Sequence, residues 1–448
     1  MKRFLAGFLA TLMLLNLAAC GGSASSSSSP APSSSAQVTS SSSGSVPADT
    51  SPEPVTIKFA NYALLESGYT EFWENVKTGF EVKYPHITIE WVTAPYGEVL
   101  QQVINMAGGG DKVDLVLGEI NWVPTMEDAG LTVPVDTIMT KEFLDDFYPN
   151  IIDAHSINGK MYGVPLFVSL YVLYYNKDVF TKAGLDPEKP PKTYDEMLEM
   201  AAKIAPLKTD DGNKIYPFGQ ATASVPVSGS ALTAMVYNFG GRVLSDDGKL
   251  ASDMEGFKQA FEMLKTLEQK GYNPQNAKLK DLRNLFALGQ LGMYYDQSAG
   301  FNGVQAINPD AKDFTASAAP LAGGSGNGAS VLQSQCFLMA DNGESQREAV
   351  RLFVEYVITP EILVDYMVNL SPSYPAKKSM AGMTEITNSS ILKGAANAIT
   401  LALPPPLTPA MADINLELCT LAQAITISGE DVDSAIAAFN KAASALLE

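Results

Sequence analysis

Gly163-Val164-Pro165-Leu166-Phe167-Val168-Ser169-Leu170-Tyr171-Val172-Leu173-Tyr174-Tyr175-Asn176 runs directly into Lys177-Asp178-Val179-Phe180. The first segment is almost wholly apolar and rich in β-branched and aromatic side chains, the composition of a long strand covered on both faces. The polar residues that follow open helices, predicted near Lys177 to Ala183 and at Tyr194 to Ala205. Toward the N-terminus the same alternation recurs. Val55 to Ala60 reads as a strand, Glu66 to Tyr84 as a helix with Tyr69, Phe72, Trp73, Val76 and Phe80 at helical spacing, and His86 to Thr93 as a second strand. Tyr96 to Ala107 then reads as a helix, Gly108 to Gly110 as a turn and Val113 to Leu117 as a third strand. Toward the C-terminus, helices are predicted around Ser230 to Phe239 and Glu255 to Lys270, and short strands at Leu291 to Tyr295 and Phe314 to Ala319. In the last part, Val350, Phe353, Val354 and Val357 share one helix face, as do Val432, Ala435, Ile436, Phe439 and Ala443. Strands that alternate with helices predict α/β architecture with mixed sheets flanked by helices. No repeat of fixed period occurs.

The N-terminus has a different character. Met1-Lys2-Arg3 precedes an apolar run from Phe4 to Leu17, then Leu17-Ala18-Ala19-Cys20-Gly21. That run, at roughly 21 Å as a helix, is short of a bilayer core of about 30 Å, so residues 1–19 read as a signal peptide. Leu-Ala-Ala-Cys resembles the bacterial lipobox, which implies lipidation of Cys20 and anchorage to the outer face of a cytoplasmic membrane, of Gram-positive type. From Gly21 to Pro54 the chain is Ser, Pro, Ala and Gly with almost nothing to bury, a disordered tether with a root-mean-square span of roughly 30–35 Å. The 49 acidic against 30 basic side chains disfavour a nucleic-acid partner. Cys336 and Cys419 make no disulfide framework and are expected as buried free thiols, a bridge between them being the alternative.

Several pieces in fixed order carry a family resemblance: Phe80-Glu81-Val82-Lys83-Tyr84-Pro85, Gly110-Asp111-Lys112-Val113-Asp114-Leu115-Val116, Glu127-Asp128-Ala129-Gly130-Leu131 and Asn158-Gly159-Lys160-Met161-Tyr162-Gly163-Val164-Pro165. Leu173 to Phe180, Pro191-Lys192-Thr193-Tyr194-Asp195-Glu196 and Phe286-Ala287-Leu288-Gly289-Gln290-Leu291-Gly292-Met293 continue the series. Together they resemble the extracellular solute-binding proteins of ABC importers, the family-1 group that includes maltose-binding protein. The resemblance implies a two-lobed periplasmic-binding-protein-like fold of type II, with a hinge between lobes and a ligand cleft. Lobe 1 is expected at 55–165 and 320–372, lobe 2 at 166–319 and 373–448. It further implies a monomer that captures a small hydrophilic solute, most of all a carbohydrate or oligosaccharide, and delivers it to the transmembrane subunits of an ABC permease, with no enzymatic activity, cofactor or metal.

Sugars carry many hydroxyls and flat apolar faces, so a sugar site wants aromatic platforms beside carboxylates and amides. Positions after the strands supply candidates: Asn61 and Tyr62 after the first, Glu119, Asn121 and Trp122 after the third, Phe167 and Ser169 past the presumed hinge, and Tyr295, Asp296 and Gln297 after Met293. Glu119-Ile120-Asn121-Trp122 departs from the aromatic-then-Asp order commoner in the family, and the Trp common near Tyr295 is missing. Peptide, polyamine or phosphorylated ligands therefore stay open. The alternative of another class is a secreted glycoside hydrolase using a carboxylate pair, which leaves no sequence signature. Ser390-Ile391-Leu392-Lys393 and Lys77-Thr78-Gly79 match penicillin-binding elements, but in reversed order and with Lys77 in a helix. His86 and His155 have no metal-ligand spacing, and no nucleophile elbow occurs.

Overall fold

A computed structural model describes residues 52–66 and 68–448; the signal peptide, Cys20 and nearly all of the expected tether lie outside them. β1 (Val55–Ala60), α1 (Thr70–Lys83), β2 (Ile87–Val92), α2 (Tyr96–Gly108) and β3 (Leu115–Glu119) follow in the expected alternation, with β1 parallel to both β2 and β3. β3 ends two residues later than the apolar run predicts, because its neighbour on the other side extends the ladder as far as Glu119. A hairpin at Ser156–Ile157 and Lys160–Met161 turns on Asn158 and Gly159, both at positive φ, which explains the Asn-Gly pair there.

β4 (Gly163–Asn176) is buried along its whole length, as its composition predicts. Asn176 both ends it and caps α3 (Lys177–Lys182), its carboxamide oxygen accepting from the Asp178 and Val179 amides. Thr193 does the same for α4 (Tyr194–Ile204), while the Glu196 carboxylate reaches back to the Lys192 amide. The quoted motifs around these residues are thus start signals for helices. β5 (Tyr216–Gly219), α5 (Pro226–Asn238), α6 (Glu255–Gln269), α7 (Leu279–Ala287), β6 (Leu291–Gln297), β7 (Thr315–Ala318), β8 (Leu332–Met339), α8 (Glu344–Val357), β9 (Tyr374–Pro375), α9 (Met411–Thr426) and α10 (Val432–Ser444) follow, with shorter helices between them. β5 was not legible: four residues with Pro217 among them carry no period.

The strands form one connected path, β2-β1-β3-β8-β4-β6-β5, with β7 and β9 also on β4. β4 has two sets of partners. Gly163 to Leu170 lies antiparallel to β8, and Tyr171 to Asn176 lies against β6 and β7. One strand therefore carries the chain from one part of the sheet into the other, and each part has helices packed on it. The β4–β8 ladder shifts register where Gln335 pairs Phe167 and Cys336 pairs Pro165, leaving Leu166 as an extra residue. A proline cannot donate to the ladder, so its place beside a bulge is the one a central strand tolerates. Cys336 and Cys419 are buried and unpaired. Among the described residues no helix is long and apolar enough to cross a membrane.

Candidate functional site

A cavity of about 720 Å³ opens where the carboxyl ends of β2 and β3 meet α5, α9 and the segment before α9, the position where open α/β sheets hold ligands. Glu119, at the last position of β3, pairs across the ladder with Gln335 of β8, and Gln335 pairs with Phe167 of β4. Two residues along, Gln333 pairs with Ser169. Period-2 alternation turns these five side chains to one face, and all five line the cavity. Gln297, the last residue of β6, opposes Tyr171 and reaches the same space. Asn121 and Trp122 line it from the helical turn after β3.

Six of the ten candidate residues thus come together: Glu119, Asn121, Trp122, Phe167, Ser169 and Gln297. The other four stand behind the wall. Asn61 is buried and caps the helical turn after β1 by accepting from the Ala63 amide. The Tyr62 hydroxyl donates to Glu119 Oε1 at 2.8 Å and accepts from Gln335 Nε2 at 2.6 Å. The Tyr295 hydroxyl accepts from the Leu321 amide. Asp296 is sealed from solvent, its carboxylate held by Arg283 Nε at 2.6 Å and Nη2 at 2.9 Å and by the Gln297 amide at 2.8 Å. Its place at the end of β6 suggested the cleft; a guanidinium thirteen residues earlier, on α7, takes it instead.

Four features of the wall were missed. Tyr96 opens α2 and is 43% exposed; its ring centroid lies 5.1 Å from Tyr62 and 5.6 Å from Trp122, which is itself only 6% exposed. It follows β2, so the strand-end rule that singled out Tyr62 and Trp122 would have found it. Gln333 and Gln335 sit in an apolar strand whose polar alternation was the available signal. Pro405, Pro406 and Pro409 form a stiff apolar stretch with Leu407 and Met411, and the clustered prolines between Leu403 and Ala410 mark an extended loop. Ser230 and Asn415 come from α5 and α9, which approach closely because a Cβ at Gly229 would overlap the backbone of Asn415.

Glu119 decides the electrostatics. Loss of water pushes its carboxyl up to about 7, against the pull of the hydrogen bond from Tyr62. Among the described residues no Lys, Arg, His or Asp lines the cavity, and Glu119 and the phenol of Tyr96 are its ionisable groups. The rest of the polar lining is amide and hydroxyl.

Residues 75–394, most of the chain, match the sequence profile of the family described as bacterial extracellular solute-binding protein. The chain belongs to that family. As an extracellular solute-binding protein it functions outside the cytoplasm. A binding protein of Brucella abortus (strain 2308) is 28% identical over 298 residues, 66% of this chain and 70% of its own. A maltotriose-binding protein of Pyrococcus abyssi is 25% identical over 203 residues, 44% of this chain and 41% of its own. Among solved structures, the cyclic alpha-maltosyl-1,6-maltose binding protein of Arthrobacter globiformis superposes with a TM-score of 0.75 at 20% identity, over 88% of this chain and 99% of that one. The two-lobed fold expected from the sequence is the fold of that neighbour.

Proposed function

We propose that this solute-binding protein captures a neutral carbohydrate in the cleft and passes it to the transmembrane subunits of an ABC importer, held at the membrane surface through a lipid on Cys20. The observation that carries the reading is the charge of the wall: among the described lining residues one carboxylate, no cation, and amides and hydroxyls beside the rings of Tyr96, Trp122 and Phe167. A phosphorylated or carboxylated solute would face the Glu119 carboxylate with no cation among the described lining residues to offset its charge, the first turns of α2, α5 and α9 being its counterweight there, and a polyamine needs several carboxylates. A sugar needs acceptors and donors in number beside an aromatic face, and the lining supplies both. The partial likeness to a maltotriose-binding protein supports the same class. A carboxylate-pair hydrolase needs two carboxyl groups about the scissile bond, and among the described lining residues there is Glu119 alone, which favours binding without turnover. Capture proceeds by closure of two lobes, 55–165 with 320–372 and 166–319 with 373–448, about β4.

A thermal-shift panel tests this: maltose, maltotriose, mannitol, sn-glycerol 3-phosphate, a tripeptide and spermidine. A solute that binds only the native state at a hundredfold over its Kd adds about 2.7 kcal/mol and raises Tm. The expected result is a shift with a neutral sugar or polyol. A shift with the phosphate ester or spermidine and none with the neutral compounds would overturn the assignment.

A further inference from the structure

We propose that Tyr62, Gln335 and Tyr366 form a one-way hydrogen-bond relay that orients Glu119 as the acceptor of the cleft, which makes these three buried residues positioning residues for ligand selection. The inference rests on the reading of the cavity as the solute site.

The direction of the relay follows from valence. An ionised carboxylate only accepts, so Tyr62 spends its single hydroxyl proton on Glu119 Oε1. The Tyr62 oxygen must then accept, and Gln335 Nε2 is the donor. That fixes the carboxamide, so its Oε1 faces away and accepts from the Tyr366 hydroxyl at 2.8 Å. Tyr366 is fully buried among Phe72, Tyr69 and Phe167, with ring centroids at 4.8, 5.4 and 5.1 Å, so its ring is locked. A reversed relay would leave the Tyr366 hydroxyl proton without an acceptor in that apolar cage, a costly state. The four groups come from four places in the chain, and the central one lies beside the bulge that Leu166 makes in the neighbouring strand.

Glu119 Oε1 is thereby occupied, and among the described residues Tyr62 is the one donor on the carboxylate. The remaining oxygen is left to accept from ligand hydroxyls. The titratable groups that act on Glu119 are the phenols of Tyr62, Tyr96 and Tyr366 and the thiol of Cys336, all held neutral by burial. Among the described residues no cation answers the carboxylate, so the hydrogen bond that the relay delivers is what opposes the upward push of burial. Weakening that bond raises the carboxyl further, since a donor favours the charged form.

The test follows the Glu119 carboxyl directly. Protein labelled with carboxyl-¹³C glutamate is titrated by NMR, the Glu119 signal being the one lost in Glu119→Gln. Wild type is compared with Tyr366→Phe, which removes one oxygen of a residue that does not line the cleft, and with Gln335→Met, which keeps the volume and removes the amide. In both variants the midpoint should move upward by about half a unit or more, and maltotriose, measured by calorimetry at pH 8, should bind about fivefold more weakly in Tyr366→Phe. A purely structural role lowers Tm and leaves the midpoint in place; that result overturns the relay. Should Tyr366→Phe fail to fold, Gln335→Met decides by the same midpoint. If Glu119→Gln weakens maltotriose binding while both relay variants titrate like wild type, the relay falls and the cleft stands. If Glu119→Gln and Tyr96→Ala bind maltotriose, maltose and mannitol as wild type does, the cleft reading falls as well.

Discussion

In an Asp296→Ala variant, Arg283 keeps its charge and loses both carboxylate oxygens that hold it, while the Gln297 amide loses its acceptor. Breaking a buried ion pair from one side typically costs 3–5 kcal/mol, because the surviving charge has no partner. The Arg283 side chain is 27% exposed, so water reaches part of the guanidinium and the lower end, about 3 kcal/mol, is expected. With an unfolding entropy near 2 cal/mol/K per residue, a folded body of this length loses about 4 °C in Tm. The cleft should barely respond: Asp296 does not line it, and Gln297 remains, so affinity for the tightest neutral solute should change by less than about threefold.

Thermal melts and calorimetry on the same preparation separate the two effects. The double variant Arg283→Met with Asp296→Ala should recover most of the lost stability, since an apolar pair of similar volume replaces a buried ion pair at little cost. An unchanged Tm together with lost binding would refute the reasoning and return Asp296 to the cleft, where its place in the sequence had suggested it.

Tyr96→Ala, at an exposed ring, should weaken sugar binding roughly tenfold with little change in Tm, whereas Trp122→Ala, at a buried one, should lower both by calorimetry and by melting. His155 is fully buried between the Ile151 carbonyl and Ser334 Oγ, and burial lowers its pKa from 6.5 to about 4. The unfolded chain therefore takes up this proton first, so the contribution of His155 is complete above pH 6.5 and falls away toward pH 4, by about 3 kcal/mol. Glu119, whose carboxyl is raised when folded, acts in the opposite sense, adding stability as pH falls from about 7 toward 4.5. Denaturant melts from pH 7 to 4.5 should accordingly show a shallower acid loss in His155→Asn than in wild type; equal slopes would exclude His155 as the source. Gly229→Ala should lower Tm by forcing α5 off the Asn415 backbone, at roughly 1–3 kcal/mol or more, and should disturb Ser230 and Asn415 at the cavity.

The elements were legible where periodicity is local. β4 announced itself by an unbroken apolar run, and α3 and α4 by Asn176 and Thr193 at their caps. The candidate cavity was legible where a strand end faces it, as at Glu119, Trp122 and Gln297, and past the presumed hinge, as at Phe167 and Ser169. What stayed hidden depends on partners far away in the chain. Gln335 meets Tyr62 across 273 positions, and neither residue carries a local mark of the other. Asp296 shows the same limit from the other side: three consecutive residues of β6 go to three neighbourhoods, Tyr295 to Leu321, Asp296 to Arg283 and Gln297 to the cleft. A strand-end rule locates the loop, and side-chain direction together with the nearest opposite charge decides which residue of the loop reaches the ligand.

The chemistry of the wall gives selectivity a magnitude. An anion bound about 4 Å from an ionised Glu119 would meet roughly 4 kcal/mol of repulsion at an effective dielectric constant of 20, close to a thousandfold in affinity. Among the described residues no lining cation offsets it. A neutral diol meets no such term and gains a charge-assisted hydrogen bond instead. One carboxylate can therefore both attract hydroxylated solutes and turn phosphorylated ones away, provided it is ionised. Because burial holds its pKa near 7, the rejection of anions should weaken below neutrality while sugar binding weakens with it. A site that owed its preference to shape alone would lose neither.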